Sequence, residues 1–227
     1  MKNLGNIFIL GDSYSTFKGY IPEGYAPYYG ENGPWYLETN PEMKLSDNDV
    51  RDVTHTWWYN FAKENGTLLK NCSWSGTTIC HTGYNGEDCT KISFIARFEE
   101  LLKEGYFEEN KADTFFLFGG TNDSWANSPL GDKIFSGWTP DDLYKVFPAF
   151  SYLIHRLTSN LPGTKIYCII NTGELKPEIT EFYELVCTKN NIDFIELHNI
   201  DKVHGHPTIK GMAEIKQQIL DYIKLNQ

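Results

Sequence analysis

Five short, mostly apolar runs, at residues 6–10, 67–71, 114–118, 165–170 and 192–195, alternate with stretches whose apolar residues recur at helical spacing. This alternation constrains the fold more than any other feature. Parallel strands need long crossovers, and helices are the usual ones, so the pattern predicts an α/β fold with a parallel sheet. Runs this apolar suit strands that are covered on both faces. Helices are expected over 56–64, 91–103, 141–159, 176–190 and 207–225. In the last, Ile209, Met212, Ile215, Ile219, Tyr222 and Ile223 make one buried stripe. Pro148 is expected to bend or interrupt the helix over 141–159.

One segment breaks the alternation. Residues 14–53 separate the first strand from the first helix, where two to six residues usually suffice. The segment carries seven tyrosines or tryptophans among repeated glycines and prolines. An aromatic loop leaving the carboxyl end of a strand in such a sheet is placed to wall a binding cleft.

Composition narrows the function classes. With 227 residues and ordinary apolar content, a single domain spanning 1–227 is expected. Thirty acidic against twenty basic residues give a net charge of −10, which repels a phosphate backbone and makes nucleic acid a poor partner. No apolar run approaches the ~18 residues of a membrane helix, and the opening residues lack a signal-peptide pattern, so a cytoplasmic protein is expected. Five cysteines, an odd number, read as reduced thiols. Cys80, His81 and Cys89 lack zinc-site spacing, so no metal is expected.

The turns after the strands carry the chemistry. Gly11-Asp12-Ser13 follows the first strand, where a hydroxyl and its own N–H can face one point. Cys72-Ser73-Trp74-Ser75-Gly76 follows the second, and Gly76 can offer a bare backbone N–H. Gly119-Gly120-Thr121-Asn122-Asp123 follows the third, and Asn122 can aim its amide at a developing oxyanion. His206-Pro207 follows the last strand, with Pro207 expected in the first turn of the last helix and His206 at its entrance, suited to act as a general base. Asp12 and Asp123 read as turn residues that bond neighbouring backbone. Trp74 and Trp125 flank the oxyanion blocks and suit a sugar ring or an aromatic acyl group, with Trp35, Trp57, Trp58 and Trp138 on nearby elements; Trp57 and Trp58 read as core.

These four ordered blocks resemble the SGNH (GDSL-like) hydrolases over nearly the whole chain. The resemblance implies a three-layer α/β/α, flavodoxin-like fold with a five-stranded parallel sheet. It implies Ser13 as nucleophile, His206 as base, and the Ser13 N–H, Gly76 and Asn122 as the oxyanion hole, with no cofactor. Family members carry Asp three residues before the His, where this chain has Val203. Asp201 is then the first candidate for the acid, a backbone carbonyl the alternative, and His204 ranks below His206 as base. The expected activity is hydrolysis of a small-molecule or glycan ester, foremost a carbohydrate O-acetyl ester. Lipase or thioesterase chemistry, a non-catalytic glycan-binding module, and a flavin or phosphate binder using Ser13, Ser15 and Thr16 stay open. Oligomeric state is not legible.

Overall fold

In the computed structural model, which describes residues 3–34 and 48–226, strand β1 (Asn6–Gly11) pairs in parallel on both sides. Its neighbours are β2 (Thr67–Asn71) and β3 (Thr114–Phe118), followed outward by β4 (Lys165–Ile170) and β5 (Asp193–Glu196). The order β2-β1-β3-β4-β5, all parallel, is the flavodoxin-like one. The chain reverses direction across the sheet between β1 and β3, so the crevice beyond their carboxyl ends is the expected ligand site.

The two-residue period of the strands sorts the core into two layers. Phe8, Leu10, Phe115, Leu117, Ile166, Cys168 and Ile170 face one side. There they meet α2 (Phe94–Lys103), α5 (Val146–Asn160) and α6 (Pro177–Lys189). Ile7, Ile9, Phe116, Phe118, Tyr167 and Ile169 face the other, against α1 (Trp57–Asn65) and α7 (Ile209–Leu225). Each fully buried side chain of this kind contributes about 1.5–3 kcal/mol. The layers, not the loops, therefore fix where the strand ends lie. Trp57 and Trp58 are core residues, as read. All five cysteines are free and buried. Among the described residues no helix is long and apolar enough to cross a membrane.

Three local differences from expectation have simple causes. The helix expected over 141–159 is a 3₁₀ turn (Pro140–Tyr144), a break at extended Lys145, and then α5. Pro148 lies in the first turn of α5, where its missing N–H breaks no hydrogen bond, so it neither bends nor interrupts the helix. Two short helices, α3 (Tyr106–Glu109) and α4 (Thr121–Trp125), are too brief to show a period. Finally, Pro207 does not open α7. It belongs to a small antiparallel hairpin of β6 (Lys202–Val203) and β7 (His206–Pro207). The cap of α7 is Thr208, whose side chain accepts from the Gly211 N–H. Of the aromatic segment 14–53, residues 35–47, Trp35 among them, lie outside the described residues.

Candidate active site

At the end of β1, Asp12 caps a 3₁₀ turn over Ser13–Ser15 by accepting from the Tyr14 N–H at 3.1 Å. The turn ties up the Ser13 carbonyl, which accepts from the Thr16 hydroxyl at 2.9 Å. The Ser13 N–H donates to no acceptor among the described residues. The second Asp12 oxygen is buried without a partner, and burial raises the carboxyl to about 7, opposed by the Tyr14 N–H and by Arg97.

Arg97 joins the loops behind this turn. It lies on the apolar face of α2 with Phe94, Phe98 and Leu101, and is fully buried. Its guanidinium donates to the carbonyls of Gly11, Cys72 and Ile92 and, at 2.9 Å, to the Thr77 hydroxyl. One cation thus holds the turn after β1 against the segment after β2. Asp123 does the matching work from α4, accepting from the N–H groups of Ile79 at 2.8 Å and Cys80 at 3.1 Å. Asp12 is a turn residue that bonds neighbouring backbone, as read, whereas Asp123 lies within α4 and bonds backbone far off in sequence.

Gly76 has φ of +78°, a conformation that favours glycine, and a side chain there would point into open space. Its N–H also has no acceptor among the described residues. Asn122 is buried, and its amide is oriented at both ends. Nδ2 donates to the Thr77 carbonyl at 3.0 Å, and Oδ1 accepts from the Tyr84 hydroxyl at 2.8 Å. A primary amide has two N–H groups, so one remains for a ligand.

His206 closes the arrangement from β7. Its Nε2 lies 3.0 Å from Ser13 Oγ, and its Nδ1 lies 3.1 Å from the carbonyl oxygen of His204. A carbonyl can only accept, so Nδ1 carries the proton and Nε2 faces the hydroxyl as an acceptor. Burial first, and then the nearby Lys202 and His204, push the imidazole down to about 4, against the opposing bond to the His204 carbonyl. The ring is therefore neutral at pH 7. The Tyr14 hydroxyl donates to the Gly205 carbonyl, and both the Tyr29 hydroxyl and Asn48 Nδ2 donate to the Pro207 carbonyl. The hairpin is thus pinned on both sides of the histidine.

The profile of the GDSL-like Lipase/Acylhydrolase family matches residues 5–223. The chain belongs to that family. It is accordingly a hydrolase of ester bonds. A protein from Bacteroides ovatus ATCC 8483 described as a GDSL-like lipase is 43% identical, with 98% of this chain and 99% of that one covered and a TM-score of 0.86. A second, from Bacteroides uniformis ATCC 8492, is 40% identical over 97% of this chain and 95% of that one, with a TM-score of 0.84. A family two carbohydrate esterase from Clostridium thermocellum is 17% identical over 99% of this chain and 64% of its own, with a TM-score of 0.61, a likeness of fold alone. No curated protein matches the chain.

Within this GDSL-like hydrolase the expected site residues do not all converge. Ser13 and His206 meet beyond the carboxyl end of β1, and Asn122 bonds the Thr77 carbonyl next to Gly76. Asp201 does not reach the imidazole, which corrects the expectation of an Asp201 acid. Its carboxylate accepts from the Thr208 hydroxyl and lies 3.8 Å from Lys210 Nζ. The hairpin is the cause: Asp201 stands at its open end beside Thr208, whereas Nδ1 turns toward the tip. His204 is exposed and contributes its carbonyl, not its ring. Trp125 is exposed, presents its ring edge-to-face to His206 at 5.6 Å, and donates from Nε1 to Glu174 at 3.1 Å. Trp74 stacks on Tyr25 at 4.2 Å. Trp138 packs on Tyr152 and His155 of α5.

Sequence reasoning missed Arg97, Tyr84 and the Lys202–Glu174 pair, whose charges are 2.9 Å apart. Arg97 had a signal, because a charge stands at a core position of an otherwise apolar helical stripe. Tyr84 and Lys202 had none. Their partners lie far off in sequence.

Proposed function

We propose that the chain is a serine esterase that works through an acyl-enzyme on Ser13, with carbohydrate O-acetyl esters as its substrates. The observation that carries this reading is the 3.0 Å approach of a neutral His206 Nε2 to Ser13 Oγ. His206 takes the hydroxyl proton as Ser13 attacks the ester carbonyl, and returns it to the departing alcohol. Water activated by the same ring then releases the acid. The tetrahedral oxyanion is held by the N–H groups of Ser13 and Gly76 and by the free Asn122 N–H. Each such donor is worth about 10²–10³ in kcat. The base is oriented by the His204 carbonyl, so the catalytic pair is a dyad.

Support for a sugar substrate comes from Trp125, an exposed indole beside His206 whose N–H is already fixed by Glu174. Its free face offers a platform for a pyranose ring, with Trp74 on the opposite oxyanion loop. Ser15 and Thr16 are fully buried, Ser15 Oγ against Trp57 Nε1 at 3.1 Å and the Thr16 hydroxyl donating to the Ser13 carbonyl, which argues against their holding a phosphate.

A fluorophosphonate probe tests the chemistry. It should label the wild type and leave Ser13→Ala unlabelled, and labelling of Ser13→Ala removes the nucleophile assignment. Comparing acetylated oligosaccharides with octanoyl esters and acyl thioesters then tests the substrate class. Faster turnover of the octanoyl ester or the thioester overturns it.

A further inference from the structure

Among the described residues four aromatic rings approach His206, and one of them differs in kind. Tyr14, Tyr29 and Trp125 meet the imidazole at 53°, 76° and 67°, with centroids 5.6, 6.5 and 5.6 Å away. Tyr28 lies flat on it, 3.5 Å away and within 4° of parallel. Two neutral rings disfavour a direct face-to-face sandwich, because their negative faces oppose one another. A cation over an aromatic face is attracted by that same charge distribution. The arrangement therefore suits a protonated imidazole better than a neutral one, and in the proposed cycle the ring is protonated only in the acylation and deacylation steps, not in the resting enzyme.

The missing acid gives this preference a use. In a Ser-His-Asp triad the carboxylate stabilises the imidazolium as it forms. Here Nδ1 has only the neutral His204 carbonyl. We propose that Tyr28 is a positioning residue that supplies part of the absent carboxylate's effect. It holds the imidazole plane so that Nε2 faces Ser13, and its π face stabilises the imidazolium of the transition state more than the imidazole of the resting enzyme. The placement of Tyr28 is coupled to the nucleophile. The Tyr28 N–H donates to the Thr16 hydroxyl at 2.7 Å, and that hydroxyl donates to the Ser13 carbonyl at 2.9 Å. One side chain thus links the stacking ring to the turn that bears the serine.

This inference rests on His206 being the base, and the test separates the two. Position 28 is replaced by phenylalanine and by phenylalanines carrying one to five ring fluorines, which drain charge from the face while nearly keeping its shape. In single-turnover acylation by p-nitrophenyl acetate, the rate should fall stepwise with fluorination. The total loss from phenylalanine to pentafluorophenylalanine should be roughly 3–30-fold, the range of a cation–π contact. KM should hold, and Tyr28→Leu should lie at or below the bottom of the series. A merely structural ring predicts a flat series. A flat series with Ser13→Ala inactive overturns the role of Tyr28 and leaves the esterase reading standing. Activity retained by Ser13→Ala overturns both.

Discussion

The carbonyl of His204 occupies the place beside His206 Nδ1 that a carboxylate holds in a triad, 3.1 Å from the ring nitrogen. What aims it is a two-residue turn. His204 and Gly205 have φ of +49° and +75° between the paired residues Val203 and His206, the sign pattern of a type I′ hairpin. The orienting group is therefore main chain, and no side-chain substitution can delete it. Asp201→Asn should leave kcat within about tenfold of wild type, against the ~10⁴ lost when the acid of a triad becomes an amide. The amide oxygen can still accept from Thr208. Steady-state kinetics decide the matter, and a loss of 10³ or more would return Asp201 to the mechanism.

Gly205 is where the turn can be disturbed. A Cβ at this position would stand 2.8 Å from the Trp125 ring, on backbone whose φ L-residues rarely adopt. Gly205→Ala should shift both the His204 carbonyl and the indole beside the base. A displacement of about 1 Å in a catalytic group costs up to ~10²-fold, so kcat should drop ten- to a hundredfold. Thermal melting should show only a modest loss, because the hairpin lies outside the two core layers. A wild-type kcat would mean that the turn does not aim the base.

Tyr84 and Asn122 form a second pair to separate. Asn122→Ala removes a donor to the oxyanion and should lower kcat about 10²–10³-fold with little change in KM. Tyr84→Phe removes only the hydroxyl that fixes Asn122 Oδ1 at 2.8 Å. Losing one such bond is worth about 0.5–1.5 kcal/mol, or roughly 2–13-fold in kcat. The double variant should be no slower than Asn122→Ala alone, because Tyr84 acts through Asn122. Additive losses would give Tyr84 a direct contact with substrate.

The legible parts of this molecule are those whose cause is local. The strands were readable because β3 and β4 are buried on both faces and carry almost no polar residue. Ser13, Gly76, Asn122 and His206 were readable as candidates because the first three follow β1, β2 and β3 closely in sequence and His206 follows β5, the last strand of the main sheet. The hairpin around His206 was not. Its strands are two residues long, and His-Gly stands where Asn-Gly would have announced the turn. Pro207 therefore read as a helix start, and Asp201 as the acid, because a backbone carbonyl has no sequence signature. Tyr28 was read only as one aromatic among several in a long loop. Its partner is 178 residues away, and such contacts appear only once the core has fixed where the strand ends meet.

The pH dependence follows from the surroundings of His206. Lys202 on β6, His204 in the turn, the rings of Tyr14, Tyr28 and Tyr29, and Trp125 on α4 surround it. Burial and the neighbouring cations move its titration from the ordinary value near 6.5 down to about 4. The base is then neutral throughout the mildly acidic range, so kcat/KM should stay level from pH 7 to 5.5 and reach half its maximum near 4. An acid limb centred near 6.5 would contradict the described environment. Stability carries the same signature. Between about 4 and 6.5 the unfolded chain binds a proton at His206 that the native protein does not, so this residue's contribution falls as the pH falls through that window. Asp12 opposes it. Its carboxyl is raised to about 7, so from about 4 to 7 the native state holds a proton that the unfolded chain releases, and its contribution falls as the pH rises. The two slopes run in opposite directions. His206→Gln removes one of them, so its melting temperature relative to wild type should climb as the pH is lowered from 6.5 to 4 and change little above 7. Parallel curves for the two proteins across that window would mean that His206 titrates alike folded and unfolded, and that burial does not hold the base neutral.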